Sequence, residues 1–349
     1  MPKELPRKLA EHPSVRAVRE RGERPGPAVL DAGWLRELCL RAGADDAAAV
    51  PLDHPDLAGE REHALAAMPG TRTLVSLVVR MNREDVRSPA RSVANQEFHH
   101  AGELINAAAR QVVRELEDAG VRALNPSATF PMEMGRYPGR IWVVAHKTVA
   151  VAAGMGAMGI HRNVIHPRFG NFILLATLLL DAEVSAHGTA LDYNPCLECK
   201  LCVAACPVGA IKKDGEDFDW LACSTHNYRE FMGGFTEWVE TVADSRDGAD
   251  FRSRVTDSEN ASMWQSLSFK PNYKAAYCMA VCPAGEDVIG PYLDDRKAFL
   301  DTVLKPLQDK VEPLYVHAGS AAEEHAARRF PHKPTKQVTA NLGRRPGSA

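Results

Sequence analysis

The sequence predicts an α/β (α+β) core followed by a smaller cysteine-rich domain, and three observations lead to this prediction. Apolar runs of strand length alternate with amphipathic helical segments between residues 29 and 190. Seven of the eight cysteines are concentrated later in the chain, between Cys196 and Cys282. A chain of 349 residues also has the length of about two domains.

The elements of the core follow from hydrophobic patterning. Residues 73–81 and 172–181 are apolar runs of strand length, so both are predicted to be buried strands, the second of them central in the sheet. The longest predicted helix covers 92–119 and ends before Gly120. The other predicted elements are a helix over 31–43 with Asp31 as N-cap, strands over 47–52, 121–124 and 140–145, and a long, functionally interesting loop over 125–139.

Changes in composition divide the chain into five parts. Proline punctuation predicts a loosely ordered arm at the N-terminus, and a basic, polar composition predicts a solvated tail at the C-terminus. The predicted parts are the arm 1–28, the α/β domain 29–190, the cysteine-rich domain 191–290 with a helical insertion at 224–274, a helical extension 291–318, and the tail 319–349.

Charge and hydropathy exclude two classes of partner. The formal net charge is −3, so no broad basic field favours nucleic acid or an anionic membrane. No apolar run approaches the roughly 20 residues of a membrane span. The N-terminal residues lack the apolar region of a signal peptide, so we expect a cytoplasmic protein.

The cysteine spacing predicts iron–sulfur ligands. Residues 196–207 have the pattern C-x2-C-x2-C-x3-C-P, typical of bacterial ferredoxins, in which the fourth cysteine binds the other cluster of a pair. A degenerate repeat follows at 277–283, where Cys278 and Cys282 match Cys202 and Cys206. In a reducing cytosol such clusters of thiols are metal ligands rather than disulfides. Cys39 lies on the apolar face of the predicted helix 31–43 and is expected to be a buried free cysteine.

The cysteine-rich part is therefore predicted to be a ferredoxin-like two-cluster iron–sulfur domain. One [4Fe-4S] cluster is assigned to Cys196, Cys199, Cys202 and the reciprocal Cys282. The second is assigned to Cys206, Cys223 and Cys278, because Asn272 and Ala275 occupy the positions where the repeat lacks cysteines. The second site is then a 3Fe-4S cluster, a [4Fe-4S] cluster with a ligand such as His226, or a [4Fe-4S] cluster with an open iron. The alternative is that only the first cluster forms.

A glycine-rich bend precedes the cysteines. Gly154, Gly156 and Gly159 have the spacing G-x-G-x-x-G, but Pro167 and Gly170 leave no room for the helix that a dinucleotide-binding fold requires. Ionisable and cationic residues surround the bend, and such a group binds phosphate or amide groups of a large cofactor or donates a proton. They are His146, Lys147, His161, Arg162, His166 and Arg168.

The order of these features resembles the epoxyqueuosine reductase and reductive dehalogenase superfamily. The resemblance covers about 30–300 and rests on the segment 150–172, the apolar strand after it, and the ferredoxin-type cysteines with a lone cysteine at 223. It implies a nitroreductase-like core that holds cobalamin in a base-off state and receives electrons from two clusters. The corrin would lie near the glycine bend, with Gly154, Gly156, Gly159, His161, Arg162, His166 and Gly170 as cofactor-binding residues.

These observations predict a cytoplasmic iron–sulfur reductase, cobalamin-dependent by resemblance, that reduces a small organic or modified-nucleoside substrate. An external ferredoxin or flavodoxin would supply electrons. The aspartate or tyrosine that acts in the family has no clear counterpart around 128–147, so His146, Lys147 and His161 are the candidate catalytic residues. The alternatives are a non-catalytic electron-transfer protein that docks through the insertion or the tail, and a cluster-based redox sensor.

Overall fold

The structure, a computed structural model, describes residues 6–22, 26–136, 140–215, 217–230, 233–274 and 276–338. Its helices are α1 Arg7–Ala10, α2 Pro13–Arg21, α3 Ala32–Arg41, α4 Ala58–Ala67, α5 Arg83–Arg87, α6 Arg91–Asp118, α7 His146–Ala152, α8 Leu201–Ala205, α9 Trp220–Asn227, α10 Gly233–Asp244, α11 Gly248–Arg254, α12 Asp257–Ser268, α13 Tyr277–Ala280, α14 Gly290–Asp294, α15 Arg296–Phe299, α16 Lys305–Asp309 and α17 Ala321–Arg329. Its strands are β1 Val29–Leu30, β2 Asp46–Pro51, β3 Thr73–Arg80, β4 Ala123–Leu124, β5 Ala157–Met158, β6 Val164–Ile165, β7 Ile173–Leu180, β8 Glu183–Val184, β9 Leu314–His317 and β10 Thr335–Val338.

A four-stranded antiparallel sheet in the order β2-β3-β7-β4 forms the centre of the α/β domain. Strand β7 pairs along its whole length with β3, from Ile173 opposite Arg80 to Leu180 opposite Thr73. The predicted central strand over 172–181 is therefore present and central. The mixed helix-and-sheet class predicted for the core is confirmed.

Helices cover both faces of this sheet. Val75 and Leu77 of β3 pack in one apolar cluster with α3 and α6, whereas Leu74 and Val78, which point the other way, pack against α7. Successive side chains of a strand point to opposite faces, so a strand buried on both faces is apolar throughout. This accounts for the uninterrupted apolar runs in β3 and β7.

Replacing Leu178 with Ala is expected to lower the free energy of unfolding by about 2–5 kcal/mol, because it leaves a cavity in a packed core. Leu178 lies in β7 and is fully buried in the cluster that contains α3 and α6. The midpoint of chemical denaturation, followed by circular dichroism, measures the change. Leu104→Ala in α6 is the control, because Leu104 is 60% exposed. Equal midpoints for the two variants would contradict this account of the core.

The predicted strand over 140–145 is absent, and the side chain of Glu60 explains why. The guanidinium of Arg140 forms an ion pair with Glu60, and the N–H of Ala145 donates to the same carboxylate at 2.8 Å. This segment is held by one buried side chain rather than by a neighbouring strand, and it leads directly into α7.

Residues 319–338 are folded, although the sequence predicted a solvated tail. Strand β10 pairs in parallel with β9, and α17 connects them. Ala326 and Phe330 pack beneath β9 on Leu314, and the buried amine of Lys333 donates to the carbonyl of Leu307 at 3.1 Å. The prediction was wrong because it relied on the basic, polar composition. A few correctly spaced apolar side chains are enough to pack β9, α17 and β10 together. The rest of the predicted tail lies outside the described residues.

The arm and the insertion are helical where the structure describes them. Helices α1 and α2 bury no side chain. The insertion forms α10, α11 and α12 together with the second half of α9. Within the described ranges, no helix has the length and apolar character needed to cross a membrane.

Candidate metal centre and adjoining cavity

The two cysteine runs share a backbone feature that supports their description as a repeat. Lys200 and Ala276 both have left-handed backbone conformations, with φ of 56° and 59°. Each begins a short helix, α8 and α13, and each stands two residues before a cysteine, Cys202 or Cys278. The chain therefore turns in the same way into both helices.

Four thiols form a first group. Burial raises the pKa of the Cys202 thiol, as do the neighbouring thiols of Cys278, which belongs to the second run, and of Cys282, Cys199 and Cys196. Burial and the thiols of Cys199 and Cys196 likewise raise the pKa of Cys282 to about 12. The Sγ atom of Cys196 accepts the N–H of Ile160 at 3.4 Å. The structure thus brings Cys282 back to the first three cysteines.

Three thiols form a second group. Burial raises the pKa of Cys223, and the thiols of Cys278 and Cys206 raise it further. Cys206 lies in an apolar cluster against which Cys223 and Cys278 pack, and its Sγ atom accepts the N–H of Ala210 at 3.3 Å. Thiols in apolar surroundings with amide donors aimed at sulfur fit iron–sulfur clusters, whose potentials depend on such donors. Among the described residues, no three His, Cys, Asp or Glu side chains are placed to hold a single metal ion.

The α/β domain places a cation beside the second group. The ammonium of Lys147 donates to the carbonyl of Arg162 at 2.6 Å and to Oδ1 of Asn163 at 2.8 Å. The amide nitrogen of Asn163 in turn approaches Sγ of Cys278 at 3.9 Å. Burial lowers the pKa of Lys147, while the thiols of Cys278 and Cys223 raise it. Asn163, which sequence reasoning did not single out, therefore links the ammonium to the thiol.

His146 and His161 are both held by hydrogen bonds. Nδ1 of His146 lies 2.9 Å from the hydroxyl of Thr177, and its Nε2 donates to the carbonyl of Ser127 at 3.1 Å. Nδ1 of His161 accepts the N–H of Asn163 at 3.1 Å, and its Nε2 lies 3.2 Å from the amide of Asn171. Burial lowers the pKa of both, that of His161 to about 4. Both rings are thus neutral near pH 7, which suits positioning better than proton donation.

The glycines of the bend pack against the chain itself. A Cβ at Gly154, where φ is +75°, would lie 2.3 Å from the carbonyl oxygen of Thr189, and one at Gly170, where φ is +62°, would lie 2.1 Å from that of Ala284. Gly156 and Gly159 are similarly crowded, by residues of the bend. Close backbone approach is why these positions need glycine. Because Ala284 follows Cys282, Gly170 joins the two domains rather than contacting a ligand.

His166 and Arg168 also serve the fold rather than the cavity. Nε2 of His166 donates to Asp46 at 3.2 Å, and its Nδ1 accepts the N–H groups of Arg168 and Phe169. Although burial raises the pKa of Asp46, its hydrogen bonds with His166 and Arg36 lower it overall. The guanidinium of Arg168 pairs with Asp287 at 2.9 Å. Both residues therefore hold the bend in place.

A cavity of about 1100 Å3 lies between the two domains. From the α/β domain it is lined by His146, Lys147, His161, Arg162 and Asn163, and from the cysteine-rich domain by Cys206, Cys223 and Cys278. The second thiol group thus opens onto the same space as the ionisable residues of the bend. Small-ligand pockets usually measure about 300–1,000 Å3, so this one suits a large ligand.

Two tyrosines on the cavity wall were not identified from the sequence. The rings of Tyr228 and Tyr273 meet edge to face with centroids 6.0 Å apart. Burial raises the pKa of Tyr228, as does the thiol of Cys223, and burial raises that of Tyr273 to about 12. Both phenols stay protonated. The only sequence signal was that Tyr228 follows Cys223 by five residues.

Residues 190–212 match the family model described as a 4Fe-4S binding domain. The chain is 34% identical over 117 residues to an epoxyqueuosine reductase of Leadbetterella byssophila, and 29% identical over 118 residues to one of Cellulophaga algicola. Each match covers 31% of this chain and 38% of the relative. The matched segment thus spans well under half of the length of these curated relatives.

Two solved structures are also similar. An epoxyqueuosine reductase from Streptococcus thermophilus matches with a TM-score of 0.43 and 14% identity over 85% of this chain and 80% of that one. A reductive dehalogenase matches with a TM-score of 0.45 and 12% identity over 88% and 41%. The predicted resemblance to epoxyqueuosine reductases is confirmed by the curated relatives, and the chain carries a 4Fe-4S binding domain.

Proposed function

We propose that the chain is an iron–sulfur oxidoreductase with two clusters, and that its cavity holds a cobalamin at which a small organic or modified-nucleoside substrate is reduced. The observation that carries the proposal is that Cys206, Cys223 and Cys278 line the same cavity as Lys147 and its neighbours. Electrons delivered to the second thiol group would therefore reach the cavity without crossing bulk protein. Cobalamin itself comes from the resemblance to the family.

The cavity fits such a cofactor in size and chemistry. Its volume of about 1100 Å3 and largely apolar walls suit a bulky ring system. Trp142 and Ile141 supply apolar surface, and Arg162 and Asn163 supply polar groups for amide side chains. When bound, cobalamin would supply a strongly reducing cobalt. The clusters would supply single electrons.

The residues of this chain would orient the ligand and hold protons. Lys147 and Asn163 keep a positive charge and an amide donor beside Cys278. Tyr228 and Tyr273 hold protons on phenol oxygens at the cavity wall. We therefore favour the tyrosines over His146 or His161 as a source of protons. We also propose a cytoplasmic site of action and a ferredoxin or flavodoxin as the electron donor.

The test is corrinoid binding by the complete chain. The protein is purified without oxygen, reconstituted with iron and sulfide, and mixed with cobalamin. We expect cobalt to co-elute with the protein and to show a base-off spectrum. Ala145→Trp, which places a large ring on the cavity wall, should abolish this binding without loss of iron. Ala10→Trp, on a helix that buries nothing, is the control. No bound cobalt in the unaltered protein would refute the cobalamin part.

A second candidate function is electron transfer to a partner enzyme. Exposed apolar side chains on or beside α10 and α12 favour it, namely Phe235, Val239, Trp264 and Phe269, which are 41–73% exposed. Such a surface is typical of docking sites. If no corrinoid binds and the reduced clusters are reoxidised by a partner enzyme, this candidate replaces the first.

A further inference from the structure

The second thiol group is one ligand short of a complete cluster. The sequence has eight cysteines, of which four belong to the first group and three to the second. The eighth, Cys39, is fully buried between α3 and the sheet, in the core of the α/β domain. No cysteine remains to complete the second group.

Two polar side chains near the second group, His226 and Asp219, do not complete it in the arrangement that the structure shows. Nδ1 of His226 accepts the N–H of Tyr315 at 3.3 Å, so its hydrogen is on Nε2. That nitrogen is buried and has no hydrogen-bond partner among the described residues, but in this tautomer it offers no lone pair to an iron. Oδ1 of Asp219 accepts the N–H of Ala222 at 2.9 Å, so this carboxylate is bound to the start of α9 as its N-cap.

The cavity provides what an exchangeable ligand would need. Cys206, Cys223 and Cys278 line it, and so do Lys147 and Arg162. Lys147 donates two hydrogen bonds, to Arg162 and Asn163, while an ammonium has three N–H groups. A small anion bound between the thiols and Lys147 would find a compensating positive charge.

We propose that the second cluster is a [4Fe-4S] cluster with one iron that has no protein ligand, and that this iron faces the cavity and binds a small anionic oxygen, nitrogen or sulfur donor beside Lys147. The inference rests on the two-cluster part of the proposed function and is independent of cobalamin. It assigns a ligand-binding role to a cluster that would otherwise only pass electrons.

Cyanide is the probe, and the complete chain reconstituted with 57Fe and sulfide is the sample. We expect cyanide to change the electron paramagnetic resonance spectrum of the reduced second cluster and the Mössbauer spectrum of one of its irons. Lys147→Gln should weaken cyanide binding about tenfold, since it removes the nearby charge. Mild oxidation should remove one electron and release that iron as Fe2+ from the unaltered protein, giving a [3Fe-4S]+ signal that ferrous iron and a one-electron reductant such as dithionite together reverse.

Replacing Ala275 with cysteine adds a possible fourth thiol to the second group and provides the comparison for the cyanide experiment. Ala275 stands where the C-x2-C spacing before Cys278 expects a cysteine. Its placement lies outside the described residues, so the substitution rests on sequence spacing alone. Ala275→Cys should abolish the response to cyanide, whereas Ala275→Ser, similar in size but without a thiol, should keep it.

The outcomes separate this inference from the proposed function. If the unaltered protein holds iron for two clusters but neither cyanide nor oxidation affects one iron selectively, the open iron is refuted and the two-cluster relay stands. If it holds iron for one cluster only, both are refuted. Because the oxidation test uses the unaltered protein, a failure of Ala275→Cys to fold leaves the inference testable.

Discussion

Replacing Cys282 with Ala is expected to remove the first cluster and with it about half of the bound iron. Cys282 approaches Cys196, Cys199 and Cys202 although it is far from them in sequence. Deleting its thiol leaves that group with three ligands. Because Cys196, Cys199 and Cys202 do not line the cavity, no exchangeable ligand from the cavity can replace the missing thiol, in contrast to the second group. Iron and sulfide analysis, with the visible absorbance of the reconstituted protein, measures the loss.

Cys39→Ala is the matched control, because it removes a buried thiol of the α/β core rather than a ligand. Its iron content should equal that of the unaltered protein. Cys223→Ala should affect only the second cluster. Full iron content in the Cys282 variant would mean that the first group is completed in another way.

Replacing Lys147 with Met is expected to lower the reduction potential of the second cluster by on the order of 100 mV. A positive charge stabilises the reduced, more negative cluster, so its removal makes reduction harder. The estimate takes one unit charge, worth on the order of 2 kcal/mol at an effective dielectric constant of about 20, and converts it for one electron. Potentiometric titration monitored by electron paramagnetic resonance measures the shift.

Lys147→Arg keeps the charge and should change the potential much less. The first cluster provides an internal reference, because Cys278 and Cys223 are the thiols whose charge acts on Lys147. The reduction potential of the first cluster should stay nearly constant in both the Lys147→Met and the Lys147→Arg variant. Equal shifts of the two clusters would indicate a general disturbance of the fold and contradict the local role of Lys147.

The metal centre was largely predictable because cluster ligands are set by local spacing. Cys196, Cys199 and Cys202 lie within one short loop, and the ferredoxin pattern itself implies that a cysteine from the second run joins them. Cys223 lacks such a pattern, but it was the remaining thiol in that part of the chain. The structure places Cys206, Cys223 and Cys278 on one cavity wall, while the assignment of each cysteine to a cluster stays a prediction.

The cavity wall was less predictable because it forms from distant parts of the chain. Tyr228 and Tyr273 lie near the two ends of the insertion 224–274, and only the tertiary fold brings their rings together. The packing partners of the glycine bend were unpredictable for a related reason. Sequence shows that Gly170 permits close approach, but not that Ala284, more than a hundred residues later, is what approaches.

The unit formed by β9, α17 and β10 has a consequence for the order in which the protein is made. It packs on Cys206 of the second thiol group, where Val316 and Ala322 join the apolar cluster around this cysteine and His325 lies 3.2 Å from its carbonyl. All seven cysteines of the two groups leave the ribosome before this unit does, since synthesis runs from the N-terminus. The side of the site that it covers therefore stays open to incoming iron and sulfide until this unit has been translated.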